Sequence, residues 1–218
     1  MSYFGIFVIL GLNNYGNREI ATKKDDKNTL SDTFINIFSM QFIIGLIVII
    51  IYFLYYIFVA HNLITLLFFT YLLSYLFDIN WFFFGMEEFK ITVVRNTIIK
   101  IISTIAILLF IKKQSDIYTY IIITSISYFI SQISVWPFLK DHIKYVKPKW
   151  AEIKKHIKPN LILFIPVLGV SLYNMMDKVM IGILSSKTEV GYYESADKLK
   201  AIPILFVTAL GTVALPRI

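Results

Sequence analysis

Long uninterrupted runs of apolar residues constrain this sequence more than any other feature. A helix of about 20 apolar residues crosses the hydrocarbon core of a bilayer, and a lipid-exposed segment must satisfy its own backbone hydrogen bonds. A transmembrane barrel would instead show short strands of alternating polarity, and the sequence has no such pattern. The sequence therefore predicts an all-α, polytopic transmembrane helix bundle. The expected spans, about six in number, lie near residues 36–59, 63–85, 91–111, 117–137, 160–183 and 191–215.

Composition agrees with a membrane protein and narrows the chemistry that the chain can perform. Charged residues make up 16% of the sequence, against about 25% in soluble domains. The net charge of +7 comes from residues beside the apolar runs, which indicates anionic lipid headgroups and excludes nucleic acid as the expected partner. The absence of cysteine excludes disulfides and thiolate metal sites. The three histidines fall in predicted loops: His61, His142 and His156.

The distribution of positive charge over alternate loops predicts the orientation of the chain. Cytoplasmic loops of membrane proteins carry an excess of lysine and arginine. One set of alternate loops is rich in them, and the opposite set holds only Lys112, Lys113 and Lys187. The rich set is therefore expected on the cytoplasmic side of a membrane of the inner-membrane type. It contains Arg18, Lys23, Lys24, Lys27, Lys90 and seven lysines between Lys140 and Lys158.

The longest connector, residues 140–159, is rich in lysine. Its lysines alternate with apolar residues, which fits either an amphipathic cytoplasmic segment on the membrane or a solvated linker. The first apolar stretch, 2–12, is too short to span a bilayer, and both ends of the chain are abrupt. The chain is therefore expected to be a fragment of a larger bundle, with a truncated first span.

Polar and ionisable side chains inside the predicted spans are the candidate functional residues, because such groups usually face a bundle interior or a watery cavity. Each also has a structural interpretation, such as snorkelling for Arg95 or an i,i+4 ion pair between Glu194 and Lys198. The candidates for a substrate cavity are Arg95, Lys100, Asn174, Asp177, Lys178, Asp197 and Lys198. The candidates for a coupling-ion site are Asp78, Asp177 and Asp197.

Catalytic motifs are missing from the sequence. There is no glycine-rich phosphate loop, no nucleophile elbow and no histidine–carboxylate metal spacing. We therefore expect no catalytic residue, no metal site and no cofactor.

Four ordered segments resemble those of one transporter family. Residues Gly11 to Ala21 resemble the "G-x-x-x-Y-G-x-R-E-I-A" segment of bacterial polysaccharide repeat-unit flippases, the O-antigen and capsule exporters. Residues Asp78 to Glu87 are similar to the "D-x-x-W-x-x-x-G-x-E" segment of that family. The later matching segments are Asp177 to Gly182 followed by Val190 to Tyr193, and Leu215 to Arg217. The resemblance covers essentially the whole chain and extends to the multidrug/oligosaccharidyl-lipid/polysaccharide exporter (MATE-like) superfamily.

The resemblance implies a transporter and not an enzyme. It implies part of a fold with two related halves around a central cavity, which alternates between inward-open and outward-open states. Residues 140–159 would then be the basic amphipathic cytoplasmic connector between a truncated N-terminal lobe at 1–139 and the start of a C-terminal lobe at 160–218. The implied cargo is an undecaprenyl-diphosphate-linked oligosaccharide repeat unit, moved to the outer leaflet for surface polysaccharide synthesis. The implied partners are this lipid-linked oligosaccharide, membrane lipids, a coupling H⁺ or Na⁺ and other polysaccharide-assembly membrane proteins.

The cargo gives the candidate residues their expected roles. A diphosphate needs cations, which Arg95, Lys100, Lys178 and Lys198 carry, and a sugar needs the hydroxyl and amide groups of the polar helix faces. Two alternatives stay open: a cation-coupled multidrug or small-cation antiporter of the same superfamily, and an inactive gene remnant. A membrane polymerase or glycosyltransferase would be expected to show a large extracytoplasmic loop or a catalytic motif, and neither is present.

Overall fold

The computed structural model describes the backbone of residues 2–214 and the side chains of 4–113 and 115–204. Over this range the chain is helical and forms no strand, which confirms the predicted all-α class. The chain divides into two compact units, Met1–Val167 and Leu168–Ile218. Each unit is considered by itself. Leu215 to Arg217, the last segment that resembles the transporter family, lies outside the described residues.

Ten α-helices follow one another along the described chain. A π-helical turn, Tyr56–Ala60, extends the third, and a 3₁₀ turn, Gln114–Asp116, precedes the seventh. The helices are α1 Ser2–Ile9, α2 Leu12–Ala21, α3 Lys27–Tyr55, α4 Leu63–Leu76, α5 Asn80–Gly85, α6 Phe89–Phe110, α7 Ile117–Ile133, α8 Trp136–Leu139, α9 Trp150–Leu184 and α10 Lys187–Ala214.

Five helical segments of the described chain are long and apolar enough to cross a membrane. They are Lys27–Ala60, Leu63–Gly85, Phe89–Phe110, Ile117–Leu139 and Trp150–Leu184. These correspond to the first five predicted spans, and the chain is a multi-pass membrane protein. The sixth predicted span, 191–215, coincides with α10 but reaches beyond the described residues, so it stays a prediction.

Local side-chain chemistry sets both ends of the first span, Lys27–Ala60. Asp26 precedes α3, and its carboxylate accepts two backbone N–H groups of the first helical turn. These hydrogen bonds hold the pKa of Asp26 below its usual range, because they favour the ionised carboxylate. At the other end, His61 adopts a left-handed conformation with φ of 38°. Asn62 then starts α4 by accepting the N–H of Thr65 at 2.8 Å.

Glycines allow α2 and α5 to pack in close contact in the first unit. A Cβ at Gly16 would lie 2.6 Å from the Trp81 ring, and one at Gly85 would lie 2.6 Å from Ile20. Small residues let helix backbones approach closely, which is a common way of packing helices in membranes. Trp81 is fully buried. The first two segments of the resemblance are therefore packing partners, because α2 carries one and α5 carries the other.

Three connecting segments that carry lysines of the rich set meet at one end of the first unit, which we call the basic end: residues 22–32, 86–90 and 140–149. Lys24 pairs with Glu87 at 3.0 Å, and His142 lies 3.2 Å from Glu88. Lys27 donates to the carbonyl of Asp141 at 2.7 Å. The loops that the charge distribution assigns to one side of the membrane thus lie together.

The predicted connector, 140–159, has two structural parts. Residues 140–149 lie outside the helices, whereas 150–159 form the first turns of α9. The lysines of these turns are exposed, and the residues Ile153, His156 and Asn160 are buried. The boundaries 139/140 and 159/160 stay predictions, since the first compact unit extends to Val167, within α9.

The prediction that His156 lies in a loop is wrong. The helix continues through Pro159, and the buried stripe at spacings of three and four residues packs this part of α9 against the first unit. The hydroxyl of Tyr15 forms a 2.6 Å hydrogen bond with His156 Nδ1. Burial, assisted by the carboxylate of Glu19, raises the pKa of Tyr15 to about 12, so its hydroxyl stays protonated.

The α2–α5 contact generates a test with a matched control. Gly16→Ala places a methyl group against the Trp81 ring, whereas no atom lies within 4 Å of a Cβ at Gly191 in α10. We expect Gly16→Ala to destabilise the protein by roughly 1–3 kcal/mol through overpacking. Gly191→Ala is expected to be neutral or stabilising by up to about 1 kcal/mol, because alanine favours a helix. Thermal denaturation in detergent measures both, and equal shifts would contradict the close packing.

Candidate functional site

The span Leu63–Gly85 is interrupted between α4 and α5, at residues 77–79. Carbonyl groups at such a break lose their helical partners, and an unsatisfied polar group in hydrocarbon is costly. Gln41 of α3 donates from Nε2 to the carbonyls of Tyr75 and Asp78, both at 2.9 Å. Trp136 of α8 donates from Nε1 to the carbonyl of Phe77 at 3.0 Å. Side chains from two other helices therefore satisfy the broken backbone.

Gln41 also fixes the start of α5. Its Oε1 accepts the indole N–H of Trp81 at 3.0 Å, and the Gln41 side chain is fully buried. Within the break itself, Asp78 Oδ1 accepts the backbone N–H of Asn80 at 3.0 Å and the side-chain amide N–H of Asn80 at 2.7 Å. This turn directs Asn80 toward α6 and α7, where it makes its other hydrogen bonds.

Asn80 connects to a polar network between three helices, which we call the Arg95 network: Asn80, Arg95, Asn96, Ser131 and Gln132. Arg95 Nη2 donates to Asn80 Oδ1 at 2.7 Å and to Asn96 Oδ1 at 2.9 Å. Ser131 donates to the same Asn96 oxygen at 2.8 Å. Asn80 Nδ2 donates to Gln132 Oε1 at 3.1 Å. The network thus joins α5, α6 and α7 inside the membrane-spanning part of the first unit.

Arg95 has donors that this network leaves unused. Its side chain is buried, with 8% exposure, and Nε and Nη1 have no hydrogen-bond partner among the described residues. Asn80 bridges Arg95 to the carboxylate of Asp78, which supplies the nearby negative charge. Asn96, next to Arg95, is exposed, so the network reaches the surface of the unit. A buried guanidinium with free N–H groups is suited to an anionic ligand with several acceptor oxygens.

A second polar group, the acid–lysine cluster, lies in the second unit between α9 and α10. It contains Asp177, Lys178, Glu194, Asp197, Lys198 and Lys200. Lys178 lies 2.6 Å from Glu194 and 3.8 Å from Asp197. The expected i,i+4 ion pair between Glu194 and Lys198 is confirmed at 3.6 Å. Tyr193 completes the cluster by donating to Asp177 Oδ2 at 2.7 Å.

The charges within this cluster balance. Its three carboxylates face three ammonium groups, and each lysine lies within 4 Å of at least one carboxylate. The cluster therefore brings together four predicted site residues, Asp177, Lys178, Asp197 and Lys198, in an arrangement that neutralises itself. Their roles in a cavity or in ion coupling stay predictions.

Two predicted cavity residues belong to neither group. Lys100 is exposed on α6, and its carbonyl accepts the hydroxyls of Ser103 and Thr104. Asn174 is exposed on α9. Of the seven cavity candidates, Arg95 combines deep burial with unused donors.

The candidate list from the sequence omits Gln41, Asn80 and Asn96, which organise the site. Asn80 had a detectable signal, because it lies two residues after Asp78, the spacing of a side-chain turn. Gln41 had a weaker signal as an amide within an apolar run. Asn96 follows Arg95 inside a predicted span, yet sequence spacing does not reveal that its amide oxygen accepts hydrogen bonds from both Arg95 and Ser131.

Gln41 supports a quantitative test of the helix break. Gln41→Leu leaves the Asp78 carbonyl and the Trp81 indole N–H without their partner, while the Tyr75 carbonyl keeps a long bond of 3.4 Å from the N–H of Asp78. Each unsatisfied buried group costs about 1–3 kcal/mol, so we expect a loss of at least ~2 kcal/mol in thermal denaturation experiments. Gln132→Leu is the control, because it removes one side-chain acceptor and no backbone partner. A Gln132→Leu variant as unstable as Gln41→Leu would contradict the proposed role of Gln41.

Comparison with known proteins identifies the family. A sequence-family model described as "Polysaccharide biosynthesis protein" matches residues 1–218. A protein named "Putative O-antigen transporter" from Shigella dysenteriae is 25% identical over 143 residues, which cover 64% of this chain and 36% of that protein. The chain therefore matches little more than a third of that relative's length. No solved structure matches the chain. Since the family model covers every residue, the chain belongs to the polysaccharide biosynthesis protein family.

Proposed function

We propose that this chain takes part in moving undecaprenyl-diphosphate-linked oligosaccharide repeat units across the bacterial cytoplasmic membrane, for surface polysaccharide synthesis. The observation that carries the proposal is Arg95, whose Nε and Nη1 have no described partner although the side chain is buried. The family match and the similarity to a named O-antigen transporter support the same activity. The proposed activity is transport, not catalysis.

The diphosphate of the cargo is the group that Arg95 would bind. A guanidinium offers paired N–H donors in a planar fork that matches phosphate oxygens, and it stays charged under all physiological conditions. Nη2 belongs to both two-nitrogen edges of the guanidinium and already donates to Asn80 and Asn96, so the free Nε and Nη1 would each donate separately to oxygens of the diphosphate. The free donors are closed off from solvent in this conformation, so cargo binding requires the helices to open near the exposed Asn96.

Tyrosines between α4 and α7 are the proposed contacts for the sugar. The hydroxyls of Tyr71 and Tyr75 lie 3.1 Å apart, and the rings of Tyr71 and Tyr128 pack edge to face with centroids 4.8 Å apart. Such a group combines aromatic faces with hydroxyl donors and acceptors, the two features that bind a sugar. It lies on the same pair of membrane-spanning segments that contribute Asn80 and Gln132 to the Arg95 network.

Asp78 is the proposed site for a coupling H⁺ or Na⁺. Its Oδ1 is held by Asn80, and it lies inside a membrane-spanning segment, where an isolated carboxylate is costly and therefore responsive to a cation. Asp177 and Asp197 rank below it because Tyr193 and lysines already contact their carboxylates. Binding a proton or Na⁺ at Asp78 would change the charge balance next to Arg95 and so favour cargo release or uptake.

The proposal predicts that two cationic residues of α6, Arg95 and Lys100, differ in their importance for export. We expect Arg95→Gln, introduced into the source bacterium, to lower surface polysaccharide and to accumulate lipid-linked repeat units in the inner leaflet. The expected fall is roughly 10- to 100-fold, the range for losing hydrogen bonds to a charged group. Lys100→Gln makes the same change of charge at an exposed position and is expected to leave export within about twofold of the wild type.

Two controls separate a role in transport from a role in folding. Arg95→Lys keeps the charge without the planar fork and should retain partial export. The amount and thermal stability of each variant in the membrane are measured in parallel. Normal export by a stable Arg95→Gln protein would contradict the proposal. Intact surface polysaccharide together with new sensitivity to organic cations in a deletion strain would favour the small-cation antiporter instead.

A further inference from the structure

An open apolar groove of about 590 Å³ lies at the basic end of the first unit. One wall is the first part of α3, with Phe34, Ile35 and Phe38. The opposite wall is the end of α7 and α8, with Ile133 and Trp136. Its volume falls within the ~300–1,000 Å³ of small-molecule sites in proteins. None of the Arg95 network residues lines it, so it is separate from the proposed cargo site.

The third side of the groove is the segment 140–149, which α3 holds in place. Ser31 accepts the backbone N–H of Lys144 at 2.9 Å, and Asn36 accepts that of Lys149 at 2.9 Å. Ile143 and Tyr145, on either side of the first anchor, line the groove. Two backbone hydrogen bonds to a membrane-spanning helix give a fixed wall, so the groove is a preformed feature of the unit.

The rim of the groove is positively charged. Lys140 lines it, and the segment 140–149 carries four lysines against the one carboxylate of Asp141. Lys140, Lys144 and Lys147 are exposed, and their ammonium groups form no ion pair within the described part of the chain. Juxtamembrane lysines of this kind attract anionic lipid headgroups.

Aromatic residues place this rim at the depth of the headgroups. Trp136 lines the groove and Tyr145 is 82% exposed beside it. Trp150, 55% exposed, begins α9 immediately after the segment. Exposed tryptophan and tyrosine side chains concentrate at the membrane–water interface, where their rings and polar groups are both accommodated. The groove thus opens at the level of the headgroups, beside lysines without ion pairs. Its apolar walls match the acyl chains of a phospholipid, and the lysines match an anionic headgroup.

We propose that this groove binds an anionic phospholipid of the membrane, with an acyl chain between α3 and α7 and the headgroup phosphate on Lys140 and Lys144. The apolar walls exclude a purely ionic ligand, and the lysine rim selects against a zwitterionic headgroup. The bound lipid covers the apolar faces of Phe38 and Ile133 and ties the segment 140–149 to the bilayer. It is a resident lipid, distinct from the transported cargo.

Native mass spectrometry of the full chain in detergent tests the proposal with two phospholipids of identical acyl chains. Phosphatidylglycerol is expected to remain bound, and phosphatidylcholine is not. Lys140→Gln/Lys144→Gln should weaken phosphatidylglycerol binding roughly 10- to 30-fold, from the loss of two lysines near the headgroup. Lys112→Gln/Lys113→Gln is the matched control, because it removes the same charge from the loop before α7, outside the groove, and should leave binding unchanged.

A second pair of variants tests the acyl-chain position without changing charge. Ile133→Trp fills the groove and should weaken binding at least ~10-fold, whereas Ile130→Trp, one turn away on α7 and not lining the groove, should not. The proposal is overturned by equal binding of the two phospholipids or by equal losses in a variant and its control. It is also overturned if a polyprenyl diphosphate displaces the lipid from the groove, or if Ile133→Trp abolishes a dimer that forms without lipid.

Discussion

The hydrogen bonds of Gln41 are the interaction on which the rest of the first unit depends. A break in a membrane-spanning helix exposes carbonyl groups to hydrocarbon, and Gln41 satisfies two of them while it also receives the indole N–H of Trp81. With the break stabilised in this way, α5 can turn away from α4. That turn places Trp81 over Gly16 on one side and Asn80 beside Arg95 on the other. Irregular backbone is tolerated at membrane depth only where protein groups satisfy it, and here it positions a cation.

The segments that carry the family resemblance therefore have a physical meaning. Gly16 and Gly85 are the positions where α2 and α5 touch, and Asp78 and Trp81 shape the break that precedes α5. These residues shape and pack α5, which carries Asn80 of the Arg95 network, and Arg95 is the residue that we propose contacts the cargo. Asp78 is the charged residue among Gly16, Gly85, Asp78 and Trp81. Asn80 links it to Arg95, because Asn80 forms hydrogen bonds with both side chains. In the second unit, by contrast, lysines and carboxylates neutralise each other and leave no comparable set of free donors among the described residues.

The sequence predicted the helical class and the position of the first five spans, because the length of an apolar run follows directly from bilayer thickness. It also predicted Arg95 and Asp78 as candidates, since charge in hydrocarbon is rare. It could not predict that Gln41 and Asn80 join them, because the contacts of Gln41 are 34 to 40 positions away and those of Asn80 with Arg95 and Gln132 are 15 and 52 positions away. Such contacts depend on how the helices rotate. Lysine-rich residues 150–159 suggested a connector, but burial of Ile153 and His156 makes them part of α9. Charge counts alone did not show that Lys178 and Lys198 form direct ion pairs while Arg95 keeps two donor nitrogens without partners among the described residues.

The most direct measurement of the central claim is the contact between Arg95 and a diphosphate. The chain has three arginines, Arg18, Arg95 and Arg217, so Arg18→Lys/Arg217→Lys leaves Arg95 as the single site for ¹⁵N-arginine labelling. Solid-state NMR in a bilayer then reports whether the ³¹P nuclei of a bound polyprenyl diphosphate dephase the side-chain ¹⁵N signals. We predict dephasing of the Arg95 Nε and Nη1 signals, because these nitrogens have no other partner among the described residues. Saturating diphosphate binding without any dephasing of Arg95 would contradict the account.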